Sequence, residues 1–144
     1  MDIILRSLLR DLVLAVEQND REHITLLLSK GLQADVPDGF GVLTAFRTAV
    51  EIGDLEMVRW LIGDVSHPDL TDNKNTPLSY VVHQLGENKA PEIYQNWLKI
   101  MECLLEAGAD PIAGFQDEQP LIISRLYGIE DIEVILKKYV ILNN

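Results

Sequence analysis

The sequence repeats itself with a period of 34 residues, and this constrains its fold more than any other feature. Residues 15–20 read Ala-Val-Glu-Gln-Asn-Asp, and residues 49–54 read Ala-Val-Glu-Ile-Gly-Asp in the same register. Each match is followed by an apolar segment with helical spacing, at residues 23–28 and 57–62. Periods in the thirties are typical of stacked helical hairpins. The sequence therefore predicts an all-α chain whose unit is two short antiparallel helices.

Residues that start and stop helices indicate a third and a fourth hairpin. Thr76 is suited to cap a helix that begins at Pro77, and Gly108 supplies the left-handed residue that ends the following helix. The fourth hairpin is expected to begin near Pro120 and to end at residues 137–139, where two lysines suit a helix C-terminus.

These motifs resemble the ankyrin repeat, whose pattern runs Thr-Pro-Leu-His-x-Ala, then Gly, then Val-Val-x-Leu-Leu-Leu, then Gly-Ala-Asp. The closest matches are Thr-Pro-Leu at residues 76–78 and Gly-Ala-Asp at residues 108–110. The resemblance implies a solenoid of stacked antiparallel helix pairs joined by turns. It divides one domain, residues 1–144, into four repeats: about 5–36, 37–70, 71–112 and 113–142.

The third repeat is longer than the first by 11 residues, and we place this insertion near residues 85–95. A turn is predicted at residues 86–89, and apolar residues at helical spacing predict an unbroken helix over about residues 92–107. Two hypotheses describe its aromatic residues. In one, Trp97 packs against the preceding helix; in the other, Tyr94 and Trp97 form an exposed patch that binds a partner or a second copy.

The chain is strongly acidic, with 12 Lys and Arg against 23 Asp and Glu and a net charge of -11. Such a surface repels phosphate backbones and anionic headgroups, so we expect neither nucleic acid nor a membrane as partner. The longest apolar runs fall short of the roughly 20 residues that a membrane span needs. A single cysteine forms no internal disulfide, and the first residues do not resemble a signal peptide. We therefore expect a cytoplasmic protein.

The candidate catalytic side chains are Cys103, His23, His67 and His83, and none lies in a local catalytic signature. Cys103 is expected to face the helical core, His23 to be half-buried and His67 to lie in a loop. The Asn- and Asp-rich segment 69–75 lacks the glycine and bidentate glutamate of a calcium loop. We predict no catalytic site, no cofactor and no metal.

The resemblance also implies a concave binding surface, formed by the turn tips and the exposed side of the first helix of each pair. Phe40 and Phe115 are unusual on such tips, and aromatic rings among carboxylates suit a protein interface. The predicted partner-binding residues, including the aromatic pair of the insertion, are Glu17, Asp38, Phe40, Glu51, Asp72, Lys74, His83, Tyr94, Trp97, Phe115, Asp117 and Tyr127.

Our interpretation is a non-catalytic protein-binding module, a monomer or weak homodimer, whose partner carries a basic patch. A narrower hypothesis makes it an inhibitor that covers a basic active site, as immunity proteins do for bacterial toxins. Two alternatives stay open. One is an enzyme or small-ligand-binding domain that uses His83 with carboxylates of the groove, and the other is an architectural repeat protein that associates with itself.

Overall fold

The computed structural model describes residues 2–38, 44–70 and 75–142, and within these ranges it contains α-helices and no strand. The helices are α1 (Ile3–Glu17), α2 (Arg21–Ser29), α3 (Ala45–Ile52), α4 (Leu55–Leu61), α5 (Pro77–Glu87), α6 (Pro91–Glu106), α7 (Pro120–Tyr127) and α8 (Glu130–Leu142). Short 3₁₀ turns occupy Ile62–Asp64 and Gln116–Glu118. The prediction of an all-α chain built from helix pairs is confirmed.

The helices form two compact units, Met1–His67 with α1 to α4 and Pro68–Asn144 with α5 to α8. In the first unit α1 packs against α2 and α3, and α3 packs against α4. In the second unit α5 packs against α6 and α7, and α7 packs against α8. Each unit thus holds two hairpins whose first helices touch. We call α1, α3, α5 and α7 the inner helices.

Each unit buries its own set of aliphatic side chains between the paired helices. Burying one such side chain contributes about 1.5–3 kcal/mol relative to leaving it in water. The largest fully buried side chains of the first unit are Leu12, Ile24, Leu27, Met57 and Leu61. Those in the second unit are Leu78, Leu85, Ile100, Met101, Leu104, Leu105 and Ile123.

The 34-residue sequence period corresponds to two helix-turn-helix junctions built alike. Asp20 caps α2 and Asp54 caps α4, since each carboxylate accepts a hydrogen bond from the backbone N–H three residues later. The residue before each aspartate is left-handed, with φ of 54° at Asn19 and 79° at Gly53. Capping aspartates typically contribute about 1 kcal/mol each to helix stability. The repeated motif is therefore the signal that turns the chain from one helix into the next.

The predicted boundaries of the third hairpin are confirmed. The hydroxyl oxygen of Thr76 accepts a hydrogen bond from the backbone N–H of Ser79, and Pro77 is the first residue of α5. Gly108, at φ 98°, follows α6 in the left-handed conformation. The long helix of the insertion, predicted over about residues 92–107, is α6 itself.

Two predicted boundaries are wrong. Gly86 and Glu87 belong to α5 and not to a turn, because the helical backbone continues until Asn88 and the connection occupies residues 88–90. Likewise, α8 runs past the lysines at residues 137–138 to Leu142, since no glycine or proline ends it there. At both places the helix continues past the residues that the sequence predicts to end it.

The side chains of Cys103 and the histidines follow the prediction only in part. Cys103 is partly exposed instead of facing the core, because it lies beside the fully buried Leu104 at the edge of the packed face of α6. His23 is half-buried and His67 lies outside any helix, as predicted. The repeat boundaries and the single domain remain predictions.

An aspartate carboxylate joins successive turns in each unit. In the first, Oδ2 of Asp35 accepts hydrogen bonds from the backbone N–H groups of Ser66, at 2.8 Å, and His67, at 2.9 Å. In the second, both oxygens of Asp69 accept from the backbone N–H of Asp110 at 3.1 Å. Burial raises the pKa of Asp69, and the negative charge of Asp110 adds to this, while the backbone hydrogen bond opposes both. These two aspartates are one sequence period apart.

Candidate functional site

The structure brings together only some of the predicted partner-binding residues. Phe40, Asp72 and Lys74 lie outside the described residues. Glu17, Asp38 and Glu51 belong to the first unit, and the remaining six belong to the second. In the second unit, His83 and Tyr127 are in direct contact. Phe115 and Asp117 lie in the same turn as Glu118, whose carboxylate contacts His83.

The contacts around His83 form a cluster, which we define as His83, Glu87, Glu118 and Tyr127. Nδ1 of His83 lies 3.2 Å from the Tyr127 hydroxyl, and Nε2 lies 3.1 Å from Oε2 of Glu118. The rings of His83 and Tyr127 meet edge to face, with centroids 5.7 Å apart. His83 and Glu87 are one helical turn apart on α5, Tyr127 ends α7, and Glu118 ends the preceding 3₁₀ turn.

The hydroxyl of Tyr127 has a defined hydrogen-bond direction. It donates to Oε1 of Glu87 at 2.6 Å, and this bond, together with burial and the charges of Glu87 and Glu118, raises the pKa of Tyr127 to about 12. Its oxygen is then free to accept from Nδ1–H of His83 while Nε2–H of His83 donates to Glu118. All three bonds form together when both ring nitrogens of His83 carry protons.

Gly86 provides the space in which the Tyr127 ring lies. A Cβ at position 86 would lie 2.5 Å from Cδ1 and 2.6 Å from Cδ2 of that ring, far inside van der Waals contact. Glycine inside a helix costs roughly 0.5–1 kcal/mol relative to alanine, so a packing reason is expected for it. Here the reason is the approach of Tyr127, which places its hydroxyl beside His83 and Glu87.

Glu118 is held by several neighbours in the second unit. Oε2 accepts from Nε2 of His83 and from Nδ2 of Asn75, the latter at 3.2 Å. The backbone carbonyl of Glu118 accepts from the Ser79 hydroxyl, and its N–H donates to the carbonyl of Phe115 at 2.8 Å. Both the backbone and the carboxylate of Glu118 are therefore positioned by the fold.

The turn from Phe115 to Glu118, which we call the Phe115 turn, borders an open pocket of about 190 Å³ lined by Phe115, Gln116, Asp117 and Glu118. Gln116 adopts a left-handed φ of 44°, which is uncommon for a residue other than glycine. The side chain of Phe115 is 55% exposed, so it does not fold back completely onto its neighbours. Asp117 is exposed in the same turn.

Trp97 and Tyr94 do not form the exposed aromatic patch. Trp97 is 8% exposed, and its ring meets the ring of Tyr80 edge to face with centroids 6.0 Å apart. Tyr94 is half-buried, and its hydroxyl donates to Asp131 at 3.0 Å. Burial, followed by this bond, raises the pKa of Tyr94 to about 12. The patch hypothesis is therefore wrong, and Trp97 has a packing role.

In the first unit, Asp38 is not the exposed tip carboxylate that the sequence predicts. Its side chain is 1% exposed and accepts from Nη1 of Arg10 at 3.3 Å, because this turn folds onto α1. Glu51 is exposed and accepts from Nε of Arg47 at 2.9 Å. Glu17 is exposed at the end of α1. Two of these three carboxylates are thus accessible to a partner.

The predicted partner-binding residues do not include Glu87, Asn75 or Glu118. The turn predicted at residues 86–89 includes Glu87, whereas in the structure Glu87 lies one helical turn after His83 on α5. A helix extended through Gly86 would have revealed this spacing.

Among the described residues no group of three or more His, Cys, Asp or Glu is placed to hold a metal ion. Nor is any helix in the described ranges long and apolar enough to span a membrane.

A family model for ankyrin repeats, in three copies, matches residues 12–111. The crystal structure of an ankyrin repeat domain from Acinetobacter baumannii AYE superposes with a TM-score of 0.70 and 26% sequence identity. The match covers 89% of this chain and 63% of that chain, so this chain spans less than two thirds of the other. No curated protein sequence matches. Ankyrin repeats are generally protein-protein interaction modules and typically are not enzymes. The chain belongs to the ankyrin-repeat family.

Proposed function

We propose that this chain is a non-catalytic module that binds a protein with a basic patch. The observation that carries the proposal is the Phe115 turn, where an aromatic residue that is 55% exposed shares a turn with Asp117 and Glu118 on a chain of net charge -11. An exposed aromatic ring supplies apolar area to bury, and the surrounding negative charge attracts and orients a basic partner.

The contacts of His83 support binding over catalysis. A general base needs a ring nitrogen within hydrogen-bond reach of the proton that it removes from the substrate. Both nitrogens of His83 already contact side chains, Tyr127 on one side and Glu118 on the other. The cluster thus resembles a structural support for the Phe115 turn more than a site for chemistry.

Affinity capture tests the proposal directly. The tagged chain and a variant carrying Glu17→Lys, Glu51→Lys and Asp117→Lys are incubated with lysate of the organism that makes the protein. We expect the parent chain to retain a protein of net positive charge that the variant releases. Association with the purified partner should then slow as ionic strength rises.

A matched control distinguishes the effect of where the carboxylates lie from the effect of the total net charge. Glu56→Lys, Glu102→Lys and Glu106→Lys reverse three exposed carboxylates on second helices of hairpins, with the same change in net charge. Binding should survive in this control. Equal weakening by both variants would contradict an interface on the tips and inner helices, and an acidic partner with salt-independent binding would contradict the proposed function.

A further inference from the structure

The Phe115 turn offers a partner both an apolar ring and a concave space beside it. The pocket of about 190 Å³ has room for one long side chain, and the described residues that line it are 115–118. Because the phenylalanine side chain is more than half exposed, a ligand in the pocket also covers this ring. The shape therefore suits a side chain with a flat or apolar surface.

The carboxylates of the Phe115 turn favour a positively charged side chain in the pocket. Both hydrogen bonds that the described residues make with the Glu118 carboxylate use Oε2, and none of them uses Oε1. Asp117, next to it, is exposed. A neutral or acidic ligand would remove water from these carboxylates without replacing its hydrogen bonds, which is unfavourable. A cation with several N–H donors replaces them.

We infer that this pocket receives an arginine side chain of the basic partner, with the guanidinium over the Phe115 ring and paired with Asp117 and Glu118. Guanidinium is planar, is weakly hydrated and carries five donors, so it stacks on an aromatic ring and bonds carboxylates at once. A lysine ammonium is compact and strongly hydrated, and it makes poorer use of the ring. The inference rests on the proposed function and specifies the side chain that is recognised.

The site is formed before any ligand arrives. Ser79, His83 and Asn75 hold the backbone and the carboxylate of Glu118, and Tyr127 holds His83 from the other side. A carboxylate that is already fixed loses little conformational freedom when it binds, so more of the interaction energy appears as affinity. In this arrangement His83 is a positioning residue for Glu118.

An NMR titration of the full chain with Nα-acetyl-arginine amide tests the inference. We expect saturable shifts of the backbone amides at residues 115–118. The amide of citrulline has nearly the same shape but no charge and should produce no saturable shift. The corresponding lysine amide should bind several-fold more weakly. Equal binding of arginine and citrulline would overturn the inference.

Three variants and one control assign the binding to the pocket. The Asp117 side chain is not part of the hydrogen-bond network that positions Glu118. A change in affinity caused by Asp117→Asn therefore reflects the loss of a contact with the ligand. We expect Asp117→Asn and Glu118→Gln each to weaken arginine binding by about tenfold, and Phe115→Leu to weaken it several-fold. Glu106→Gln, which removes an exposed charge from α6, should leave the affinity unchanged.

The outcomes distinguish the pocket from the proposed function. Unchanged affinity in Asp117→Asn and Glu118→Gln, or no shift at residues 115–118, overturns the arginine site even if a basic partner binds in a salt-dependent way. A captured partner that is acidic overturns the proposed function instead, whatever arginine amide does. Saturable, charge-dependent shifts that are lost in these variants support the inference.

Discussion

The aromatic ring of Tyr127 fills the space that a side chain at Gly86 would need, and this contact sets the position of the Tyr127 hydroxyl between His83 and Glu87. Residue 86 lies inside a helix, where any other amino acid has a lower intrinsic cost except proline. The packing of α7 on α5 therefore depends on the absence of a methyl group.

Gly86→Ala should destabilise the second unit although alanine favours helices. The Cβ would displace the Tyr127 ring, and overpacking of this kind costs typically about 1–3 kcal/mol. Chemical denaturation followed by circular dichroism measures the loss. Gly63→Ala is the matched control, because a Cβ at residue 63 meets nothing within 4 Å. In a Tyr127→Ala background Gly86→Ala should become neutral or stabilising; an undiminished cost there would mean that the ring is not the cause.

Asp38→Asn should destabilise the first unit without changing partner association. The carboxylate is 1% exposed and pairs with Arg10, so removing its charge weakens a charge-assisted hydrogen bond by roughly 1–3 kcal/mol. Thermal unfolding measures this effect. Glu17→Gln, at an exposed position, should shift stability by less than about 0.5 kcal/mol. If Asp38→Asn associates more slowly with the partner while its stability is unchanged, Asp38 belongs to the binding surface after all.

Stability should fall between about pH 10 and 12. The folded state raises the pKa of Tyr127 and Tyr94 from 10.0 to about 12, so it favours the neutral phenol of each. The stabilisation is present below the unfolded value and is lost as pH rises through the folded one. Denaturation at increasing pH, with tyrosinate absorbance read in parallel, measures both quantities.

Replacing each tyrosine with phenylalanine assigns this pH dependence. Tyr127→Phe and Tyr94→Phe keep the ring and remove the ionisable hydroxyl, so each should flatten the loss of stability in alkali. Tyr139→Phe, on α8, serves as the comparison. If the alkaline slope of both test variants equals that of the parent chain, the hydroxyl contacts do not couple to folding.

Trp97→Ala should lower the free energy of unfolding by about 3–5 kcal/mol, the usual cost of removing a buried aromatic side chain. The ring is 8% exposed and contacts Tyr80, so the substitution leaves a cavity between α5 and α6. Partner binding, measured below the melting temperature, should persist. Lost binding with an unchanged melting temperature would restore the exposed-patch hypothesis.

The fold was largely predictable because its signals are local. A left-handed residue followed by a capping aspartate occurs at residues 19–20 and again at 53–54, and each pair needs only its own neighbours to end one helix and start the next. Thr76 with Pro77 is a signal of the same kind. Such motifs specify hairpins before any tertiary contact forms.

The site was less predictable because it depends on contacts between residues far apart in sequence. Glu118 meets His83 through a turn in which Gln116 takes a left-handed conformation, and no residue type there indicates it. Glu87 joins only because α5 continues through Gly86, which alone resembles a turn signal. The burial of Asp38 depends likewise on Arg10, which lies 28 residues earlier.

The carboxylates of Asp35 and Asp69 each accept hydrogen bonds from backbone N–H groups that lie about one repeat further along the chain. A gene duplication of a whole 34-residue period copies one acceptor carboxylate and also the backbone N–H groups that bind the carboxylate of the preceding repeat. The array of repeats can then lengthen without leaving a buried carboxylate unpaired. A duplication that separates an acceptor carboxylate from its backbone N–H partners breaks this relation, whereas added residues between them do not, since the two pairs are 31–32 and 41 residues apart. Growth of the chain by whole periods is therefore the tolerated route, and cassette exchange between family members should respect the same boundaries.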